Sequence, residues 1–292
     1  MVHRLAALLM LWSVGLAGQR HTAEPPIRQL DHVMIKATDP REVFTFFTET
    51  LGLPVAWPLE ERGGVMSGGV GFGNVNVEAI RFPGQRALPS RAEVTGFGFE
   101  PSSMPACLEE LQRRQVAHGP LRPLTVVDSG GARRTLFTNV TLLGLSDTAL
   151  PVDATMHIFL SEYSPTYVNV DERRARLRSQ LVNSGGGPLG VVAVKEVIVG
   201  AVDLEVARQR WQKLLDPIPS TTSNTWQIGS GPAVRLVPAN ENRIQTLLIR
   251  VASLERAKAF LRDRQLLGAD AAGQVTIDPS KVGGLDLRLV DR

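Results

Sequence analysis

The side chains best able to hold a metal ion or move a proton are few in this sequence. Five histidines occur, and none follows His157. His32 lies in Leu30-Asp-His-Val-Met-Ile35, where Leu30, His32 and Met34 alternate with Asp31, Val33 and Ile35, so it projects from one face of a short strand. From the residues alone it is either a hydrogen-bonded polar strand residue or a ligand. Glu78 sits in the alternating stretch Val75-Asn-Val-Glu-Ala-Ile80, where a carboxylate can simply face solvent. His157 and Glu162 share the run Met156-His-Ile-Phe-Leu-Ser-Glu-Tyr163. Their spacing puts them on opposite sides of a regular strand, so only one can enter a common site without a bulge. His118, in Ala117-His-Gly-Pro120, reads as a loop residue. The single cysteine, Cys107, cannot form an internal disulfide; it falls in the helical pattern Met104-Pro-Ala-Cys-Leu108 and reads as a small core residue. Gly68-Gly-Val-Gly-Phe-Gly73 has the glycines of a nucleotide loop but opens no helix, so the phosphate reading fails. No nucleophile elbow, Walker sequence, HExxH or cysteine-based zinc motif occurs.

The elements that must position these side chains repeat. Leu30-Asp-His-Val-Met-Ile-Lys-Ala-Thr-Asp39 aligns with Val194-Lys-Glu-Val-Ile-Val-Gly-Ala-Val-Asp203, each a strand running into a helix. Asp39 and Asp203 are the expected N-caps, with Pro40 at a first helical position where its missing N–H costs nothing. Apolar stripes follow, Val43, Phe46, Phe47 and Leu51 in one copy and Leu204, Ala207, Trp211, Leu214 and Leu215 in the other. Three strands are expected after the first helix, at 54–58, 65–72 and 74–82. The same pattern starts again at 93–99, with a helix over 103–114 and strands at 124–127, 134–143 and 156–163. A fourth pass runs from 246–251 through a helix capped by Ser253 to strands at 274–277 and 285–290. The spacing therefore predicts about four βαβββ modules in two pairs. Between the pairs, Asp171-Glu-Arg-Arg-Ala-Arg-Leu-Arg178 reads as a solvated helical connector, and Asn183-Ser-Gly-Gly-Gly-Pro188 is the best domain boundary in the chain.

The first residues, a short basic start followed by the apolar run Leu5 to Leu16 and small residues at Gly15, Ala17 and Gly18, predict a cleaved secretory signal over 1–18. The run falls short of the roughly 20 residues a bilayer-spanning helix needs. The expectation is an exported, soluble chain, periplasmic or extracellular, with no membrane association after cleavage. With 292 residues and 43% hydrophobic content there is ample material for one large or two ordinary cores. A formal charge of +3, spread among acids rather than set in a stripe with aromatics, argues against a nucleic-acid partner.

The opening Leu30-Asp-His-Val33, the Asp39-Pro40 helix start, the Leu51-Gly-Leu-Pro54 turn and the strand ending Val75-Asn-Val-Glu-Ala79 resemble the glyoxalase, bleomycin-resistance and extradiol-dioxygenase superfamily, the vicinal oxygen chelate proteins. Trp226-Gln-Ile-Gly-Ser-Gly-Pro-Ala-Val-Arg-Leu-Val-Pro238 has the same character, and the resemblance spans about residues 27 to 292. It implies an α+β fold of repeated βαβββ modules paired into two cup-shaped mixed β-sheets with flanking helices. A first glyoxalase-like domain would occupy 27–165, a linker 166–189 and a second, degenerate one 190–292. It further implies a divalent metal ion, Zn²⁺, Mn²⁺, Fe²⁺ or Ni²⁺, held by His32, Glu78 and Glu162, with Gly96 where a fourth ligand would fall and His157 outside the cup. Glu78 and Glu162 would then be the catalytic, proton-moving carboxylates of a lyase or isomerase acting on a small vicinally oxygenated metabolite. A dioxygenase is disfavoured because the second histidine position is Gly96, and a glutathione-dependent glyoxalase because export removes the thiol cosubstrate. The alternative is a non-catalytic small-molecule binder of the bleomycin-resistance type. In the second half Glu196 matches His32, and only Asp286 and Asp291 lie near the last strand, so no transition metal is expected there. Arg235 and Trp226 would receive an anionic or planar ligand, or be a surface arginine and a core tryptophan.

Overall fold

The computed structural model describes residues 25–88, 90–127, 130–221 and 223–291, so the expected signal over 1–18 lies outside the described residues. Strand β1 (Ile27–Ala37) passes through Asp39, whose side chain accepts a hydrogen bond from Arg41 N, into α1 (Pro40–Thr45) and a π-helical turn at Phe46–Thr50. Strands β2 (Val55–Arg62), β3 (Val65–Gly71) and β4 (Asn76–Arg81) complete the first βαβββ module. The second comprises β5 (Ala92–Pro101), α2 (Met104–Arg113) capped by Ser103, β6 (Arg122–Val127), β7 (Arg133–Thr141) and β8 (His157–Tyr163). Helix α3 (Val170–Asn183) and a run of glycine turns then lead to β9 (Val191–Ala201) and α4 (Leu204–Leu215), capped by Asp203.

Among the described residues two strands follow α4, β10 (Thr225–Gln227) and β11 (Ala233–Pro238), rather than three. In the intervening Asp216-Pro-Ile-Pro219 the two prolines have no N–H to give a ladder, and the N–H groups of Asp216 and Ile218 bond back to Gln212 O and Leu215 O. The last module has β12 (Arg243–Val251), α5 (Leu254–Asp263) capped by Ser253, β13 (Leu267–Ala271), β14 (Gln274–Ile277) and β15 (Leu287–Val290). Its short β13, largely exposed, lacks the apolar alternation that marks the other strands.

Each pair of modules forms one mixed sheet. The eight-stranded sheet runs β2-β3-β4-β1-β5-β8-β7-β6 and the seven-stranded one β10-β11-β9-β12-β15-β14-β13. At each centre two module-opening strands pair antiparallel and are flanked by parallel partners, β1–β4 and β5–β8 in the first sheet and β9–β11 and β12–β15 in the second. The helix-side faces of both sheets share one apolar core. Phe97 and Phe99 of β5 stack on Trp211 of α4 at 5.9 and 6.2 Å between ring centres, and Trp226 lies 6.4 Å beyond. Polar ties join the halves as well. Arg114 donates to the carbonyls of Leu214 and Asp216 at the end of α4. Asn74 exchanges two hydrogen bonds with the backbone of Val194, at 2.9 and 3.0 Å. That approach needs glycine at position 73, where φ is +90° and a Cβ would lie 2.4 Å from Val192 O. No helix among the described residues is long and apolar enough to cross a membrane.

Candidate functional site

On the first sheet the face turned away from the shared core carries two hydrogen-bonded groups, one around Asp31 and one around Glu78. The pairing of β1 with β5 is irregular between Leu30 and His32, and at that point the neighbouring side chains of Asp31 and His32 meet, His32 Nδ1 to Asp31 Oδ2 at 2.9 Å. Asp31 is fully buried and also accepts from Tyr163 Oη at 3.0 Å and from Arg174 Nη2 at 2.9 Å, with Arg173 Nη2 at 3.5 Å. Burial opposes its charge, but the His32 hydrogen bond and the two guanidinium groups outweigh it and hold the carboxyl well below the usual carboxylate range. An ionised carboxylate only accepts, so His32 Nδ1 carries the proton and Nε2 is directed away from Asp31. His32 Nε2 lies 3.8 Å from Glu78 Oε2, longer than a hydrogen bond. Glu78 Oε1 accepts from Ser67 Oγ at 2.5 Å, and Ser67 Oγ accepts from Trp57 Nε1 at 3.2 Å.

Aromatic and apolar side chains pack beside this pair. Phe159 meets His32 edge-on at 5.3 Å, and Met34, Ile80 and Phe159 form a small buried cluster apart from the main core. At one end the Arg173 guanidinium lies over the rings of Tyr163 and Trp57, at 4.7 and 5.6 Å. At the other, Lys36 Nζ donates to Ala154 O at 2.6 Å, so the loop before β8 is tied across the strands. Burial and the neighbouring Asp31 charge push the Tyr163 phenol far up, leaving it a donor throughout the physiological range.

Glu162 stands elsewhere. Ile158 and Leu160 belong to the helix-side core, and Glu162 shares their face; its Oε1 accepts from Met104 N at 2.7 Å, at the first turn of α2. A carboxylate there satisfies a free helix N–H and complements the helix dipole. The expectation that Glu162 joins His32 and Glu78 is therefore corrected. The opposite correction applies to His157, expected outside the cup. It alternates with Phe159, Ser161 and Tyr163 on the face away from the shared core, 5.2 Å from the Phe159 ring, and its Nδ1 has no hydrogen-bond partner among the described residues. Cys107 is buried in the core as expected, where burial pushes its thiol up to about 12. The arginine run of the connector is helical, but Arg173 and Arg174 turn inward onto the buried Asp31.

No family model matches the chain, and no curated protein matches it in sequence. Solved structures do match. A hypothetical protein from Staphylococcus aureus superposes with a TM-score of 0.58 at 11% identity, over 90% of this chain and 99% of that one. A mutant of 4-hydroxymandelate synthase from Streptomyces coelicolor gives 0.56 at 14% identity, over 91% and 93%. The 2,3-dioxygenase LapB from Pseudomonas sp. KL28 gives 0.55 at 11% identity, over 92% and 94%. The chain has the vicinal oxygen chelate fold. At such identities the likeness is one of architecture, and what a vicinal oxygen chelate scaffold does must be argued from its side chains.

In this chain the donor set does not fit a resident metal ion. A divalent ion with an open coordination position is ordinarily held by three protein ligands at about 2.0–2.2 Å. Here two donors, His32 and Glu78, approach each other, and no group of three His, Cys, Asp or Glu side chains able to hold an ion occurs among the described residues. Gly96 cannot be upgraded by a small shift, because its Cβ direction points at His157 O only 2.3 Å away. Sequence reasoning missed Asp31, Ser67, Trp57, Tyr163, Arg173 and Arg174 as members of the site. The adjacency of Asp31 to His32 was the one local signal available, since alternation assigned them to opposite faces.

His157 gives the vicinal oxygen chelate cup a pH dependence. Burial, reinforced by Arg122 and Lys36 and opposed by Asp147, pushes its imidazole from the ordinary 6.5 down to about 4. Between those values the unfolded chain binds a proton that the folded chain refuses, so stability rises with pH. The contribution is complete above about pH 6.5 and falls away toward pH 4, by about 3 kcal/mol at most from the size of the shift. Urea denaturation of the parent chain and a His157→Phe variant, at about pH 4.5 and pH 7.5, measures it. The variant is expected to lose most of the difference between the two pH values, and parallel behaviour of the two chains would refute the assignment.

Proposed function

We propose that this chain is an exported small-molecule-binding protein of the vicinal oxygen chelate fold that works without a resident metal ion. The observation that carries the reading is the divergence of the donors. His32 and Glu78 meet on the cup face, Glu162 serves α2 on the other, and Phe159 packs against His32 beside the pair. A small-molecule ligand is in keeping with the synthase and dioxygenase names that two of its structural neighbours bear. Export rests on the basic start, the Leu5 to Leu16 apolar run and the small residues after it.

A divalent-metal-dependent lyase or isomerase is the second reading, and one arrangement favours it. Asp31 holds Nδ1 of His32 and leaves Nε2 on the side of Glu78, as a carboxylate does behind a ligating imidazole. One measurement separates the two. Elemental analysis of the chain purified without chelator is expected to find far less than one equivalent of zinc, manganese, iron or nickel, unchanged in His32→Ala. About one ion per chain, lost in that variant, would overturn the binder and install the metalloenzyme.

A further inference from the structure

The second sheet repeats the frame of the first with its chemistry exchanged. Through the strand registers, Glu196 of β9 occupies the place of His32 and Arg235 of β11 the place of Glu78: Met34 faces Glu78 across β1–β4 as Ile198 faces Arg235 across β9–β11. Likewise Leu248 stands opposite Glu196 where Gly98 stands opposite His32, and Arg288 stands beside Leu248 where Phe159 stands beside Gly98. An imidazole and a carboxylate have become a carboxylate and a guanidinium. Where Phe159 stands in the first sheet, an arginine stands in the second.

Two features of this face point to a ligand. Arg235 is gripped through Nε alone, by Glu196 Oε2 at 2.7 Å, so its Nη1 and Nη2 make no hydrogen bond among the described residues, and the side chain is 30% exposed. A guanidinium anchored in that way presents its end-on pair of N–H donors, which matches the two oxygens of a planar carboxylate. Beside it, Ile198 and Leu248 belong to the face away from the helices, since their neighbours Val197, Val199, Leu247 and Ile249 fill the shared core. With each only 6% exposed, they form a nearly covered apolar layer on that face. Arg288 is held on the same face by Asp286, which in turn accepts from Thr246 Oγ1 at 2.7 Å. Trp226 takes no part: it is wholly buried on the core side, with Nε1 donating to Gln212.

We infer that the outer face of the second sheet is a binding site for an organic monocarboxylate, with Arg235 as the anchor of the carboxyl group and Ile198 and Leu248 beneath an apolar body. Glu196 and Asp286 cancel the formal charge of Arg235 and Arg288, so the cluster has no net charge to draw in a polyanion such as a phosphate ester, and selection falls to the forked N–H pair of Arg235. The inference rests on the binder reading and gives it a site and a ligand class.

The test is titration calorimetry of the full chain, treated with chelator, with benzoate, phenylacetate and hexanoate, against benzamide and inorganic phosphate. Saturable binding of at least one carboxylate is expected, with benzamide and phosphate at least tenfold weaker. Arg235→Ala should weaken the carboxylate at least tenfold. Arg235→Lys, which keeps the charge but not the fork and guards against a folding defect in the alanine variant, should weaken it several-fold. No saturable carboxylate binding, or binding indifferent to Arg235 but lost in His32→Gln, overturns the site. Because the protein is metal-stripped, this outcome is independent of the elemental analysis that decides the binder reading.

Discussion

Asp31→Ala is expected to remove about 4 kcal/mol of stability, read as a shift in the urea midpoint of the chain. The carboxylate is fully buried and is the common acceptor of His32, Tyr163 and Arg174, with Arg173 close by. Removing one partner of such a cluster leaves desolvated charge without compensation, which costs about 3–5 kcal/mol, whereas an exposed pair is worth under about 1 kcal/mol. Arg174 keeps its contact with Glu100, so the loss falls mainly on Arg173 and on the His32 and Tyr163 donors. The first turn of α3 should loosen at the same time, seen as faster amide exchange around residues 170–176 than at the C-terminal end of the helix, where Leu177 and Leu181 are buried. A loss below about 1 kcal/mol would mean that the cluster is solvated and that the first cup is open in solution.

The second large effect is expected at Gly96→His, the change that would install a fourth ligand at the position the resemblance implies. A Cβ at this position would stand 2.3 Å from His157 O and 2.8 Å from Met34 Cε, and the first of these is backbone. Gly96 is paired in parallel with His157, so relief requires β5 and β8, the first and last strands of the second module, to separate. The expected outcome is a loss of more than about 3 kcal/mol or failure to fold, with no gain in metal content. A soluble variant of parental stability that binds a zinc equivalent would show the strands to be more pliable than the register implies and would reopen the metal-site reading.

Most of the architecture was legible because it rests on local rules. Asp39, Asp203 and Ser253 cap their helices as the sequence indicated, each through its own side-chain oxygen, and the repeated strand–helix passages fall at the expected places. These signals need only a few consecutive residues, and all four modules share them. The site was less legible. His32 and Glu78 do approach each other, but the alternation of β8 states only that His157 and Glu162 differ in face, and both assignments satisfy it equally.

Residue order along the chain thus determined the modules and the helix ends. Tertiary structure decided which face of β8 turns inward, because that depends on which side of the completed sheet receives α2 and the shared Phe97–Trp211 core. It also decided that Arg173 and Arg174 leave the solvent for Asp31, since a buried carboxylate draws cations from anywhere within reach in space. Periodicity records alternation within one strand; the sign of that alternation is set by what the strand packs against.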